Sequence, residues 1–499
     1  MSIQIPKNRN IPIDLTADSF KKMGYKLVDQ ISELMYNISN YPVTGGETPE
    51  EIQSLLMTGM KLPENGENPE VVLDRACRLL FSHSLFNGHP KFWGYVTSSA
   101  APMGILGDFL AAGINANVGA YILSPMATEM ERQTIAWIGE LMDYPAEGGL
   151  MVSGGNMANY VGFMAALRAK TGQGIRREGL KKYPQTLVCY CSEQTHTWVH
   201  KATDLFGLGT DQIHWISTRP DFSMDTANLE QQILKDQQNG FVPFLVIGTA
   251  GTVSLGVVDP LEKISEICRK YELWFHIDGA YGGFAAAVPE FEPDINCLKR
   301  ADSVAVDPHK WLYSPLEAGC VLVKDPAKLS DTFSYHPVYY HFDNAEVNFV
   351  DYGFQNSRGF RALKVWLTLQ QMGKAGYRQL IREDILLARA AYDILNQTKG
   401  IEVFTWHLSI TTFRYVPENL PAGLNKSGKL EYLNRLNQEL LDVIQAGGEF
   451  FVSHAMIRET FVLRLCIVNF RTTLKDIEAL SGFIIKSGRQ VHARLVKER

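Results

Sequence analysis

The sequence predicts an α/β protein built on a mostly parallel β-sheet that is flanked by helices. From about residue 95 onward, short apolar runs alternate with helical patterns such as DPLEKISEICRKYE (259–272). The runs are almost entirely apolar, which is typical of strands buried on both faces of a parallel sheet. Five runs are predicted as strands: TLVCYCS (186–192), PFLVIGTAG (243–251), LWFHIDGAY (273–281), DSVAVDP (302–308) and AGCVLVKD (318–325).

The N-terminal part of the chain differs from this central region. Residues 15–40 carry apolar side chains at helical spacing, and connectors rich in Pro, Gly and Glu follow them. We predict that residues 1–90 form a helical segment that is too open and too amphipathic to build a core alone. This segment is expected to pack on the partner subunit of a dimer.

The last third of the chain changes character again. GFRALKVWLTLQQMG (359–373) predicts a helix that ends at a glycine. A long charged helix (375–397), the strand-like runs GIEVFTW and SITTFRYVP, and a final helical stretch follow. We therefore predict a large domain over residues 91–385 and a small α+β domain over residues 386–499.

Composition excludes several classes of function. The 499 residues are 45% hydrophobic and 20% charged, as in a soluble globular protein with a substantial core, and the net charge of −6 does not favour nucleic acid as a partner. No apolar run reaches the roughly 18 residues of a membrane span. The N-terminus lacks the pattern of a secretory signal, and the seven cysteines are scattered without a CxxC pair. We expect a cytoplasmic protein with reduced thiols, no membrane association and no metal site.

Polar residues follow several of the predicted strands, where a parallel sheet binds its ligands. They are Ser192 to His196, Thr249 to Thr252, Asp278, His309 and Lys310. Ser153-Gly154-Gly155-Asn156 also leads directly into an alanine-rich helix. Backbone N–H groups at such a helix start bind anions, above all phosphate, although the same residues suit a simple loop with a helix cap.

Three of these side chains allow a chemical and a structural interpretation. Asp278 needs a cationic or donor partner if it is buried, such as a protonated ring nitrogen of a cofactor, but it also suits a helix cap. His196 is either a ligand contact or a structural histidine; His200 lies one helical turn on, but no third metal ligand is evident. If Lys310 is desolvated, the pKa of its amine falls and it can form a Schiff base; otherwise it is a surface lysine.

Taken in order, these residues match the needs of a pyridoxal phosphate enzyme: an anion cradle, a ring support, a carboxylate for the pyridine nitrogen and an amine for the aldehyde. The stretches HPKFWGYV, GTAGTVSLGVVDPL, WFHIDGAYGG, ADSVAVDPHKW and NSRGFRALKVW closely resemble the group II pyridoxal-phosphate-dependent amino acid decarboxylases, and within them the aromatic-L-amino-acid decarboxylase branch. The resemblance covers nearly the whole chain. It implies fold type I, the aspartate-aminotransferase-like fold of PLP-dependent transferases, and a homodimer with shared active sites.

The resemblance also implies roles for individual residues. Lys310 would hold the cofactor covalently, and Asp278 would pair with its pyridine nitrogen. His196 would stack over the ring and Ala280 would lie beneath it. These four positions match the family motifs residue by residue.

The phosphate end of the cofactor is implied with one departure from the family. Gly155 and Asn156 would donate to the phosphate. The asparagine that the family places before Pro-His-Lys is Asp307 in this chain. A carboxylate is a poor neighbour for a phosphate unless a donor lies between them.

Further cofactor contacts are expected at the strand end near the ring. Thr249, Thr252 and Val253 fall there by resemblance, and Val253 stands where many members of the family carry a hydroxyl. His309 is expected to contact the cofactor or substrate from beside Lys310.

A tyrosine on a mobile loop gives the proton to Cα in this family, whereas aldehyde synthases of the family carry a phenylalanine there. The matching stretch DTFSYHPVYYHFDN (331–344) contains Tyr335, Tyr339 and Tyr340. Alignment by eye favours Tyr339, with Tyr340 as the alternative. A tyrosine at this position implies decarboxylation to the amine.

The substrate implied is an aromatic L-amino acid of the tyrosine, DOPA, phenylalanine or tryptophan type. Ser357, before the arginine of NSRGFR, stands where serine correlates with phenolic substrates in plant members. Phe92 and Trp93 offer an aromatic wall, and Ser98 is expected beside them. Two alternatives remain: a decarboxylase of acidic amino acids, for which Arg358 or Lys91 would bind the distal carboxylate, and an aromatic aldehyde synthase.

Overall fold

The computed structural model of the chain describes residues 11–56, 58–336 and 346–498. Its centre is a seven-stranded sheet with the strand order β1-β7-β6-β5-β4-β2-β3. The strands are β1 (Gly148–Val152), β2 (Leu187–Ser192), β3 (Ile213–Ile216), β4 (Val242–Thr249), β5 (Trp274–Asp278), β6 (Ser303–Val306) and β7 (Gly319–Val323).

The sheet is mostly parallel, as predicted. Strands β3, β2, β4, β5 and β6 pair in parallel, whereas β7 runs antiparallel to β6 and to β1. Asp278 at the end of β5 pairs with Thr249 of β4 on one side and Ala305 of β6 on the other. The carboxyl ends of four neighbouring strands (β2, β4, β5 and β6) therefore meet at one edge of the sheet.

The five strands predicted from apolar runs are confirmed, and β1 and β3 are additional. β1 is short and begins with two glycines, and β3 is a four-residue strand at the sheet edge with a half-exposed centre. Neither segment has the continuous apolar run on which the prediction depended.

Helices cover the sheet and build both flanking regions. They are α1 (Ala17–Asn37), α2 (Pro49–Leu55), α3 (Pro69–His83), α4 (Pro102–Ile114), α5 (Pro125–Leu141), α6 (Gly155–Thr171), α7 (Gly174–Glu178), α8 (Trp198–Leu205), α9 (Thr226–Gln238), α10 (Leu261–Tyr271), α11 (Ala327–Phe333), α12 (Ala362–Gln397), α13 (Lys426–Ala446) and α14 (Leu474–Lys497). None of the helices that the structure describes has the length and apolar character needed to cross a membrane.

The N-terminal segment is helical, as its spacing predicted. The Thr16 hydroxyl accepts a hydrogen bond from the Ser19 N–H and starts α1. Only Met23 of this helix is buried, whereas Phe20 is 56% exposed and Tyr36 is 81% exposed. One face of α1, which carries the exposed Tyr25, Val28 and Tyr36, is thus uncovered within one chain.

The C-terminal region forms a second, antiparallel sheet with its own core. Its strands are β8 (Ile401–His407), β9 (Ile410–Tyr415), β10 (Ser453–Ile457) and β11 (Thr460–Cys466), in the order β10-β11-β9-β8. Helix α12 leads into it and is interrupted at Gly373 (φ 58°), the glycine at which the sequence predicted a helix end. The second half of α12 contains the proposed domain limit between residues 385 and 386.

Candidate active site

The carboxyl edge of the central sheet opens on a cavity of about 330 Å³. Elements far apart in the sequence contribute to it, because the parallel strands end at the same edge. All of the residues predicted to bind a cofactor except Thr252 line this cavity: Gly155, Asn156, His196, Thr249, Asp278, Ala280, Asp307, His309 and Lys310.

Asp278 is the last residue of β5 and is buried. Its Oδ2 accepts a hydrogen bond from the indole Nε1 of Trp198 at 2.7 Å. Its Oδ1 accepts one from the Ala280 N–H at 3.2 Å. Each carboxylate oxygen keeps further lone pairs, so the side chain can still accept a hydrogen bond from a group in the cavity.

His196 follows β2 and faces the cavity. The Trp198 backbone N–H donates to its Nδ1 at 3.4 Å, so Nδ1 is an acceptor and the neutral ring carries its proton on Nε2. The surrounding protein desolvates the imidazole and lowers its pKa, and the opposing attraction of Asp278 is smaller. The ring is therefore neutral at pH 7 and suited to packing on an aromatic ligand.

The start of α6 forms a cradle for an anion. No side chain caps this helix at Gly154, so its first N–H groups remain available. A Cβ on Gly155 would lie 2.8 Å from the Asp307 carboxylate and 2.9 Å from the Ala280 side chain. A Cβ on Gly319 would lie 2.5 Å from the Gly154 Cα. Side chains are thus excluded at both positions: Asp307 and Ala280 occupy the space beside Gly155, and the backbone of Gly154 packs against Gly319.

Lys310 lies in the loop after β6, and its side chain is 18% exposed. Its Nζ is 2.9 Å from Oδ2 of Asp307, and Nε2 of His309 is 3.6 Å from the same oxygen. Oδ1 of Asp307 is buried and has no hydrogen-bond partner among the described residues. Burial lowers the pKa of His309, against a smaller attraction from Asp307.

Thr249 at the end of β4, and Thr252 and Val253 after it, have different surroundings. The Thr249 hydroxyl lines the cavity, is buried and finds no hydrogen-bond partner within the described part of the chain. The Thr252 hydroxyl accepts a hydrogen bond from the Val257 N–H and is packed below the lining. Val253 is 44% exposed and lines the cavity.

These residues fit pyridoxal phosphate. The uncapped start of α6 suits its phosphate, the carboxylate of Asp278 suits its ring nitrogen, and the amine of Lys310 suits its aldehyde. The unpartnered hydroxyl of Thr249 offers one more hydrogen bond inside the cavity. Asp307 is the exception, because a negative charge beside the helix start does not complement a phosphate.

The residues predicted to bind the substrate lie outside this cavity. Phe92 is buried against Phe451, with the ring centroids 5.1 Å apart. Trp93 is fully buried, and its indole N–H donates to the Thr472 hydroxyl at 3.1 Å. Both rings are therefore held by packing against the C-terminal region.

Two serines predicted as substrate contacts are also placed elsewhere. The Ser98 hydroxyl donates to the backbone carbonyl of His309 at 2.7 Å, so it supports the loop that carries Lys310. Ser357 is exposed. The substrate roles of all four residues stay predictions.

The predicted proton donor Tyr339 and its alternative Tyr340 lie outside the described residues. Tyr335 is described, and its ring packs against the Arg176 guanidinium at 4.0 Å. Its side chain is exposed at the surface.

Trp198 is a contact that the sequence did not reveal. It is fully buried at the start of α8 and bonds both Asp278 and His196. The sequence offered one local feature that pointed to this contact: Trp198 comes two positions after His196, which itself follows a strand. His200, whose spacing to His196 suggested a metal pair, packs its ring on Trp215 at 4.9 Å.

Comparison with known proteins agrees with this geometry. The pyridoxal-dependent decarboxylase conserved domain matches residues 49–416. Aromatic-L-amino-acid decarboxylase of Bacillus atrophaeus is 34% identical over 471 residues, covering 93% of this chain and 94% of that protein. Phenylacetaldehyde synthase of a Rosa hybrid cultivar is 30% identical over 476 residues, covering 93% and 92%.

A solved structure extends the similarity to three dimensions. The structure of Oryza sativa TDC with PLP and tryptamine has a TM-score of 0.87 and 25% identity to this chain, covering 97% of this chain and 100% of that one. The sheet topology and the predicted fold type I are thereby confirmed. The chain belongs to the pyridoxal-dependent decarboxylase family.

Proposed function

We propose that this chain decarboxylates an aromatic L-amino acid to the amine and CO2, as a carboxy-lyase that uses pyridoxal phosphate. One observation carries the proposal: a single cavity brings together the Lys310 amine, the Asp278 carboxylate, the His196 ring and the uncapped start of α6. Each of these groups suits a different part of the cofactor.

The roles of the residues follow from their positions. When bound, pyridoxal phosphate supplies an electron sink for the electrons left behind as the carboxylate departs. Asp278 would accept a hydrogen bond from the ring nitrogen and so favour its protonated form. His196 would pack on the ring and exclude water, and Lys310 would supply the amine that holds the aldehyde.

The surroundings of the two candidate cations support an aromatic rather than an acidic substrate. Arg358, a candidate partner for a distal carboxylate, is buried and ion-paired with the buried Glu131, and it also donates to the Val118 carbonyl at 2.8 Å. Lys91, the other candidate, lies 3.7 Å from Glu449 and 4.6 Å from the centre of the Phe450 ring. Both cations are therefore already engaged within the chain.

We also propose a homodimer with shared active sites, an N-terminal segment over residues 1–90 that packs on the partner, and domain limits at 91–385 and 386–499. The uncovered apolar face of α1 supports the dimer. A cytoplasmic location is proposed as well, and the seven cysteines support it, because all are buried and free.

The cofactor site is tested by spectroscopy. Purified wild-type protein should show the visible absorbance of the cofactor bound to a lysine amine, and Lys310→Ala should lose it. A protein without such absorbance in either form would refute the site. Release of CO2 from a panel of L-amino acids then tests the substrate class, and activity confined to glutamate or aspartate would refute the aromatic assignment.

An aromatic aldehyde synthase is the second candidate, because phenylacetaldehyde synthase is among the relatives of similar identity. Amine and aldehyde products, together with peroxide, distinguish the two reactions. The proposed donor Tyr339 is tested in the same assay: Tyr339→Phe should move the product from amine toward aldehyde. If only Tyr340→Phe does so, the donor is the neighbouring tyrosine.

A further inference from the structure

Trp198 connects two residues of the proposed cofactor site. Its indole Nε1 donates to Oδ2 of Asp278 at 2.7 Å, and its backbone N–H donates to Nδ1 of His196 at 3.4 Å. The first distance is short for an N–H···O hydrogen bond and falls in the range of bonds to a charged acceptor. The indole is fully buried, so water does not compete for this bond.

The sheet order explains why a tryptophan is suited to this position. Trp198 follows β2, whereas Asp278 ends β5, and β4 lies between the two strands. The loop after β2 and a long side chain that ends in an N–H donor together bridge the intervening strand. The ring is held in this orientation by the core around β2 and by an edge-to-face contact with His276, whose ring centroid is 5.9 Å away.

We propose that Trp198 is a positioning residue that orients the Asp278 carboxylate toward the ring nitrogen of the cofactor. The inference rests on the proposed role of Asp278. The two N–H donors from Trp198 and Ala280 bind one oxygen each, which fixes the plane of the carboxylate. Without the indole donor, Oδ2 is left buried and unpaired, and the side chain rotates to find another partner.

A ligand comparison separates positioning from simple packing. The probes are pyridoxal phosphate and its analogue in which C–H replaces the ring nitrogen; the dissociation constant of each is measured with apoprotein. The ratio of the two constants reports only the contact at the ring nitrogen, because phosphate, ring and aldehyde are the same in both. Wild type should prefer pyridoxal phosphate by about tenfold or more, as for a hydrogen bond to a charged group.

Trp198→Phe removes the donor and keeps most of the ring volume. We expect it to reduce the preference for pyridoxal phosphate by about tenfold, with little change in binding of the analogue. Trp198→His loses volume but keeps a ring N–H at the equivalent position, and it should keep the preference within about threefold. If Trp198 acted only by packing, the order of the two variants would be reversed. Trp198→Phe, which keeps more ring volume, would then bind pyridoxal phosphate more like wild type than Trp198→His does.

A control and a shape-matched variant complete the experiment. Trp274 also donates its indole N–H, to the Ser303 hydroxyl at 2.9 Å, but this indole is not bonded to Asp278. Trp274→Phe should leave the preference unchanged. If Trp198→Phe does not fold, a benzothienyl side chain at position 198 keeps the shape and replaces N–H by sulfur.

Two outcomes overturn the inference in different ways. If Trp198→Phe weakens both ligands equally, Trp198 only packs, and the role of Asp278 is unaffected. If the wild-type protein binds both ligands equally, Asp278 does not contact the ring nitrogen, and the proposed role of Asp278 fails together with this inference.

Discussion

Asp307 places a negative charge at the proposed phosphate site. Its Oδ2 contacts Lys310 at 2.9 Å and would lie 2.8 Å from a Cβ on Gly155, while its Oδ1 has no donor among the described residues. Two negative groups a few ångströms apart repel by an amount that corresponds to at least about tenfold in affinity in a partly desolvated site. The carboxylate therefore weakens the binding of a phosphate at this helix start.

Replacement of Asp307 by asparagine tests this repulsion. Asp307→Asn keeps the shape and removes the charge, so the dissociation constant for pyridoxal phosphate should fall by about tenfold. Pyridoxal, which lacks the phosphate, is the control ligand, and its affinity should change much less. Weaker binding of pyridoxal phosphate by the variant would show that the carboxylate is a required contact.

His276 is a buried histidine on β5 whose neutral form the fold requires. Its two ring nitrogens lie 2.7 Å from Oδ1 of Asn159 and 2.8 Å from the Ser303 hydroxyl. Burial lowers its pKa from 6.5 to about 4, against a smaller attraction from Asp278. Between pH 6.5 and about 4 the unfolded chain takes up a proton that the folded protein does not, so this histidine makes the folded state less stable as pH falls.

The pH dependence of unfolding measures this effect. From pH 7 to pH 4, wild type should lose roughly 3 kcal/mol more unfolding free energy than His276→Gln, because glutamine has no proton to gain. Urea unfolding at several pH values gives the comparison, with the exposed His454→Gln as a control variant. A difference between wild type and His276→Gln that does not change with pH would contradict the prediction.

At the scale of elements, the contact between β7 and the start of α6 shapes the cofactor site. Gly319 begins β7, and the backbone of Gly154 lies directly against it. Gly154 in turn precedes the uncapped start of α6. A strand of the sheet thus sets the position of the anion cradle, and the cradle depends on the absence of a Cβ at position 319.

Gly319→Ala should displace the cradle. The added Cβ would lie 2.5 Å from the Gly154 Cα, so backbone must move, at a cost of about 1–3 kcal/mol in unfolding free energy. We expect the dissociation constant for pyridoxal phosphate to rise by about tenfold or more. Gly482→Ala is the control: it lies in α14 with open space around it and should stabilise by about 0.5–1 kcal/mol without changing affinity. Unchanged affinity in Gly319→Ala would contradict the model of a strand-supported cradle.

At the scale of the molecule, two apolar surfaces lie open on one chain. One is a face of α1 that carries Tyr25, Val28 and Tyr36, and the other is on α4, which includes Phe109 and Leu110. Contiguous exposed apolar groups of this kind mark interaction surfaces. The α1 surface lies on the segment predicted to pack on a partner, which supports the proposed homodimer.

Polar substitutions on α1 should weaken that dimer. Burial of each aromatic side chain contributes about 1.5–3 kcal/mol, so Tyr25→Ser with Tyr36→Ser should raise the dimer dissociation constant by about 100-fold or more. Sedimentation velocity over a range of concentrations measures this change. Met456→Ser with Val496→Ser, on exposed positions of the C-terminal region, is the control pair. A dimer that is equally stable in both double variants would place the interface elsewhere.

Most of the elements and several residues of the cavity lining could be predicted from the sequence alone. Apolar runs and glycine positions are local features, so the five strands and the helix end at Gly373 were predictable. The cavity-lining positions of Lys310, Asp278 and His196 followed from their place after strands, since all parallel strands end at one edge.

Local patterns did not predict which distant side chains meet. Arg358 and Glu131 form a buried pair across 227 positions, and Trp198 bonds Asp278 across 80. Phe92 and Trp93 resembled an aromatic wall, yet packing against the C-terminal region places both rings outside the cavity. Such contacts depend on strand order and helix docking, which no short stretch of sequence encodes.

Local sequence patterns specify the class of fold and the chemical groups available, because periodicity and residue type act over a few neighbouring positions. The partners of those groups depend on tertiary packing. Asp307 lies against Lys310 and the α6 start, and Asp278 is held by the indole of Trp198. The physical reason is the strand order of the sheet, which brings β2, β4, β5 and β6 to one edge and so sets which side chains lie within hydrogen-bond distance.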